Sequence, residues 1–137
     1  MKAEAMRVKD YMATNVQTVS HDTDIMRAIR TLIDQDISGM PVVDEFGGLV
    51  GILTERDCIK VALSAGYHDE SGGLVEDFMS RSVETVLPDD SLMDVAAYFA
   101  RSPHRRCPVV IEGTLVGMIC RRDVLRALSD GAWFSSS

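Results

Sequence analysis

Two short strings hold most of the side chains in this chain that could do chemistry. Thr54-Glu55-Arg56-Asp57 follows one apolar run, and Cys120-Arg121-Arg122-Asp123 follows another. A hydroxyl followed three residues later by a carboxylate reads as a helix start, with Thr54 as N-cap and Asp57 at N3. A helix N-terminus also favours an anion, so the same residues can serve a ligand. Cys120 caps poorly, yet Asp123 is present, which points to work for Asp123 beyond capping. His104-Arg105-Arg106-Cys107-Pro108 adds cations just ahead of an apolar run. Guanidiniums donate in a planar fork that suits phosphate oxygens. The competing reading is a solvated basic edge. The matching place in the first half holds Ser38, Gly39 and Met40, with no cation.

Other chemistries find little support. The sequence offers no nucleophile-base-orienter set and no phosphate-cradling GxxxxGK loop. His21, His68 and His104 are scattered without metal-ligand spacing. Cys58, Cys107 and Cys120 form no CxxC pair and are odd in number, against a disulfide framework. Their apolar contexts make buried, inert thiols the default, and Cys107 beside Arg106 is the one candidate for a reactive thiol. A formal charge of −7 argues against general nucleic-acid binding. Residues 8–62 carry nine acids and five bases, whereas 75–128 carry eight acids and seven bases, so an anion is better placed in the second half.

The composition is that of a globular chain, 46% hydrophobic and 26% charged. Only 6% is aromatic, so aliphatic residues and methionines such as Met26, Met40, Met93 and Met118 must fill the core. Apolar runs fall well short of the ~20 residues of a membrane span. MKAEAMRVKD lacks the apolar core of a secretory signal, so a cytoplasmic location is expected.

The strings must be positioned by short elements. Pro41-Val42-Val43, the turn signal Gly47-Gly48 and Leu49 to Leu53 predict a hairpin, and a helix follows from about Thr54 to Ala65, ended by Gly66. Val16 to Val19 predicts a strand. Ile25, Met26, Ile29, Leu32 and Ile33 predict a helix face over about Thr23 to Gln35, with Ser20 or Asp22 as cap. Tyr67 to Gly73 is polar and glycine-rich, a linker. The series then returns. Val75 to Met79 repeats Val8 to Met12 at an offset of 67, and Val83, Thr85, Val86, Asp89 and Met93 match Val16, Thr18, Val19, Asp22 and Met26. Pro108-Val109-Val110, Leu115-Val116-Gly117 and Arg122-Asp123 restore the hairpin and helix start, with a turn one residue shorter. This is an internal duplication of a β-α-β-β-α unit, each copy too small to bury its sheet alone. The divisions are a lead-in 1–7, repeats 8–66 and 75–128, a linker 67–74 and a tail 129–137 bearing Trp133-Phe134.

The order β-α-β-β-α, the Pro-Val-Val strand and the Gly51 to Asp57 string with its copy Gly117 to Asp123 resemble the CBS domain, used in tandem as a Bateman module. The resemblance implies an α+β fold, two three-stranded sheets packed face to face about a pseudo-twofold axis. It implies a regulatory module, not an enzyme, that requires no cofactor. AMP, ADP, ATP or S-adenosylmethionine would bind, and occupancy would be signalled to a partner protein. Carried to this chain, the ligand-binding residues are Thr18, Ser38, Gly39, Met40, Pro41, Thr54, Arg56 and Asp57, with Thr85, Arg105, Arg106, Cys107, Pro108, Cys120, Arg122 and Asp123 in the second repeat. Thr54 would meet ribose or phosphate, and the two aspartates the ribose hydroxyls. Thr18 and Thr85 are equally readable as ordinary β-branched strand residues. A homodimer is expected, because small modules with aliphatic helix faces associate and twofold dimers are the commonest form. Cys120 and the uncharged Ser38-Gly39-Met40 leave open a docking scaffold that binds no ligand.

Overall fold

The computed structural model describes residues 6–65 and 73–131. Gly66, most of the expected linker and the Trp133-Phe134 pair lie outside them. Two compact units result, but they are not the two sequence repeats. One is Gln17–Val83; the other joins Met1–Val16 to Glu84–Ser137. Each repeat therefore lends its opening segment to the other repeat's core.

In the first unit, β1 (Val19–Ser20) runs parallel to β2 (Gly39–Val43), which pairs antiparallel with β3 (Leu49–Thr54). Asp44 sets the hairpin turn, its Oδ1 accepting the N–H groups of Phe46 and Gly48 at 2.9 and 2.8 Å. Helix α1 (Ile25–Asp34) starts later than the spacing predicts, because the cap is Asp24, whose Oδ1 accepts the Met26 N–H at 2.8 Å. Ser20 and Asp22, the expected caps, hydrogen bond to each other instead. The buried stripe is Ile25, Ala28 and Leu32, with Ile29 half-buried. Met26 and Ile33, expected inside, are exposed because each sits a residue beyond that stripe on the helical wheel. Helix α2 (Glu55–Ala65) follows β3 directly. A 3-10 turn, Val75–Asp77, then closes the unit and buries Val75 and Met79 in its core.

The second unit repeats this plan with an N-terminal 3-10 turn, Val8–Asp10, in the place of Val75–Asp77. Met6 and Val8 join Leu92, Val95, Phe99, Val109 and Ile119 in one core. Helix α3 (Leu92–Arg101) is capped by Ser91, the residue matching Asp24. Strands β4 (Arg106–Ile111) and β5 (Thr114–Cys120) form an antiparallel hairpin, and α4 (Arg121–Ser129) follows. The third strand expected here is reduced to one parallel bridge, Val86 to Val109. Pro88 explains why: it stands where His21 donates its N–H to the Val43 carbonyl in the first unit, and proline has no N–H to give. Met93 is exposed for the same reason as Met26, whereas Met40 and Met118 are core residues as expected.

The opening segments dock through matching backbone bonds. Ile25, Val75 and Glu76 N–H groups donate to Gly73, Thr23 and His21 carbonyls at 2.8–2.9 Å; Leu92, Val8 and Lys9 donate to Met6, Asp90 and Pro88 at 2.9–3.0 Å. A further reciprocal pair joins Ser80 to Ile52 and Ala13 to Met118, each next to the glycine of its hairpin. A Cβ on Gly51 would stand 2.7 Å from the Ser80 carbonyl oxygen, and one on Gly117 would stand 2.8 Å from that of Ala13. Backbone cannot step aside as a side-chain tip can. Gly51→Ala and Gly117→Ala are each expected to lower stability by about 1–3 kcal/mol, the usual cost of overpacking. Urea unfolding checks this; unchanged midpoints would mean that the segments dock more loosely than described.

Candidate functional site

In both units the predicted residues gather where the hairpin ends and a helix begins. Gly39 is paired with Thr54 and Pro41 with Ile52, while the Ser38 carbonyl accepts the Glu55 N–H at 2.9 Å. Thr18 precedes Val19, the register partner of Val42, and so stands near the same end. In the second unit Arg106 is paired with Cys120 and Pro108 with Met118, and the Arg105 carbonyl accepts the Arg121 N–H at 3.0 Å. Thr85 precedes the Val86 bridge.

The helix starts realise the capping reading. Asp57, 8% exposed, accepts the Thr54 N–H at 2.9 Å and the Thr54 hydroxyl at 3.0 Å through Oδ2. Its Oδ1 faces Lys60 Nζ at 3.9 Å. Asp123 also caps, without a hydroxyl: Oδ2 accepts the Cys120 N–H at 2.7 Å, and Oδ1 is held by Arg126. Asp123 thus has a structural reason to be present despite Cys120. Neither Lys60 nor Arg126 was singled out from the sequence, although an i,i+3 spacing from each aspartate was there to read.

The remaining candidates divide by burial. Arg56, Arg105 and Arg122 are exposed. Arg106 is half-buried, and its charge and hydrogen bond act on the Cys120 thiol; burial and Asp123 outweigh them, leaving that thiol raised. Gly39, Met40, Pro41, Cys107 and Pro108 are buried, so Met40 and Cys107 are core side chains. The Arg121 guanidinium reaches the Ser102 carbonyl at 2.8 Å, joining the loop before β4 to the start of α4.

Cys107 corrects the reactive-thiol reading. It is 1% exposed, its Sγ donates to the Glu84 carbonyl at 3.3 Å, and burial, with smaller help from Glu84 and Asp90, pushes its pKa up to about 12. A thiol that keeps its proton at neutral pH is no nucleophile. Cys58 is likewise pushed up by burial, to about 11. Among the described residues no group of three or more His, Cys, Asp or Glu could hold a metal ion, and no helix is long and apolar enough to cross a membrane.

The duplicated fold agrees with what comparison finds. A family model described as the CBS domain matches residues 8–64 and again 75–130. The chain belongs to the CBS domain family, as a tandem pair. An uncharacterised protein of Methanocaldococcus jannaschii is 36% identical over 127 residues, 92% of this chain but 44% of that one. The chain thus spans less than half of that curated relative. Among solved structures, CBSX2 of Arabidopsis thaliana in complex with AMP is 29% identical with a TM-score of 0.82, covering 92% of this chain and 98% of that one. A CBS domain pair in complex with 5'-methylthioadenosine and S-adenosyl-L-methionine is 31% identical with a TM-score of 0.76, at the same coverage.

Two outcomes follow from the local chemistry. Asp57→Ala removes the acceptor of a buried cap and should cost about 1–2 kcal/mol, whereas Cys120→Thr restores a capping hydroxyl and should raise stability by roughly 0.5 kcal/mol. Thermal melts of both variants decide whether the caps act as drawn. The second concerns pH. The folded protein holds the Cys107 proton above the ordinary 9.0, where the unfolded chain releases it. That contribution to stability is complete below pH 9 and declines as pH rises towards about 12. Urea midpoints should fall less steeply above pH 9 in Cys107→Ala than in the parent; equal slopes would contradict the burial of this thiol.

Proposed function

We propose that this CBS pair is a regulatory module that binds an adenine nucleotide or adenosyl metabolite and passes its occupancy to a partner protein. The observation that carries the reading is the twice-built hairpin end, with a carboxylate at the third position of the following helix in each repeat. The AMP, 5'-methylthioadenosine and S-adenosyl-L-methionine in similar structures support the ligand class. Oδ1 of Asp57, facing Lys60 at a loose 3.9 Å, is the acceptor assigned to ribose hydroxyls. A carboxylate oxygen has lone pairs enough to hold a cap and a ligand together. In the second repeat Arg126 shares Asp123, and the exposed Arg105 and Arg122, with Arg106, are assigned to phosphate. Thr18 and Thr85 are assigned contacts with the ligand in this reading, and Gly39, Pro41 and Pro108 backbone contacts. The module acts as a cytoplasmic homodimer in this reading. Exposed Ile59 and Leu63 on α2, and Leu125 and Leu128 on α4, supply apolar faces for association.

The rival reading is a ligand-free docking scaffold, favoured by the commitment of both aspartates to caps. A thermal-shift panel with AMP, ADP, ATP, S-adenosylmethionine and NAD(H) separates the two, since a ligand of the native state alone raises its melting temperature. At a hundredfold excess over the dissociation constant the gain is about 2.7 kcal/mol, a shift of several degrees. No shift with any compound would favour the scaffold. Light scattering on the same samples should give twice the 15.1 kDa chain mass; a monomer would remove the dimer from the proposal.

A further inference from the structure

The backbones of the two hairpin ends match, but the charges around them are opposite in sign. Residues 34–39 and 54–60 of the first repeat carry Asp34, Asp36, Glu55 and Asp57 against Arg56 and Lys60. The matching segments of the second repeat, 101–106 and 120–126, carry six arginines against Asp123. Asp57 and Lys60 face each other, as do Asp123 and Arg126, so the contrast lies in the remaining groups. These are exposed, apart from the half-buried Arg106. It is sharpest where the chain touches itself. Glu55 donates its N–H to the Ser38 carbonyl, and Arg121 donates its own to the Arg105 carbonyl in the corresponding bond.

Helix stability does not explain the second rim. Two arginines in the first turn of α4 oppose the helix dipole, which favours acids there. Arg121 is nevertheless drawn onto the Ser102 carbonyl at 2.8 Å, which gathers the loop and the helix start into one cationic edge. Nor does backbone geometry call for an acid at Asp36. Its φ of 53° lies in the left-handed region that glycine or asparagine fills at least as readily.

We infer that the two repeats take adenosyl ligands of opposite charge. The second binds an anionic nucleotide such as AMP. The first binds an adenosyl compound whose substituent carries a cation, of the sulfonium or amine class. The inference rests on the adenosyl reading above and adds to it which repeat holds which ligand. A phosphate at the first rim meets Asp36 and Glu55 with Arg56 as the one arginine to offset its lost water, whereas a sulfonium there is attracted.

Calorimetry on the whole chain tests this with AMP, S-adenosylmethionine and the uncharged 5'-methylthioadenosine. The double variant Asp36→Asn with Glu55→Gln should weaken S-adenosylmethionine by about fivefold and leave the other two within about twofold. Arg105→Gln with Arg121→Gln should weaken AMP by about tenfold and spare S-adenosylmethionine. Added salt should narrow both differences, because exposed charges are screened. Melting curves of both variants confirm that each is folded. Equal effects on AMP and S-adenosylmethionine, or none, overturn the inference while leaving adenosyl binding intact. No heat from any of the three overturns the adenosyl reading and this inference with it.

Discussion

Two glycines set the architecture. At Gly51 and Gly117 a segment from elsewhere in the chain comes so close that a single methyl group would touch its carbonyl. Only there can Ser80 exchange both backbone bonds with Ile52, and Ala13 with Met118. Those bonds fix where the 3-10 turns settle, and the turns deliver Val75 and Met79 to one core and Met6 and Val8 to the other. Without them each hairpin would face solvent with part of its apolar surface uncovered, which a unit this small cannot sustain. The crossing of segments also means that neither sequence repeat is complete by itself.

Past the glycines, each hairpin ends in a strand that becomes a helix without a loop. At such a junction the first helical N–H goes to the carbonyl just ahead of the partner strand, and the N-cap N–H before it is accepted by an acid at N3. Asp57 and Asp123 supply it in two versions, one aided by the Thr54 hydroxyl and one by Arg126. The same geometry crowds donors, a carboxylate and the strand ends together, which makes the junction suited to a small polar ligand. Structure and proposed function therefore draw on the same few atoms.

The fold was legible because duplication let weak signals confirm one another. Pro41-Val42-Val43 alone is a short apolar run; its return at Pro108 in register, with a glycine and an acid following, is an architecture. Helix start positions were less legible, since Ser20, Asp22 and Asp24 all make acceptable caps and only the docking of Gly73 beside Ile25 selects the last. The crossing of segments was hidden because apolar periodicity shows that Val8 is buried but not against which repeat. At the candidate site the residue types were readable and their commitments were not. Whether Cys107 is a reactive thiol depends on its burial in a core that the folded chain assembles, and whether Asp123 is idle depends on a guanidinium one helical turn further on.

The caps also bear on how occupancy would be transmitted under the proposed function. A ligand that donates hydrogen bonds to Oδ1 of Asp57 competes with Lys60 and draws charge from the carboxylate that holds Thr54, so binding in that reading acts on the first turn of α2. In the second repeat the competitor is Arg126, whose guanidinium also donates to the Tyr11 carbonyl at 3.3 Å in the N-terminal segment. Displacing it would loosen a link between α4 and the turn that completes its unit. A ligand shifts such an equilibrium only by its difference in affinity for the two arrangements. The first repeat has at this point an exposed lysine with a loose contact; the second has an arginine that ties two segments together. In the proposed reading the second junction is therefore the one whose filling has more structure to move.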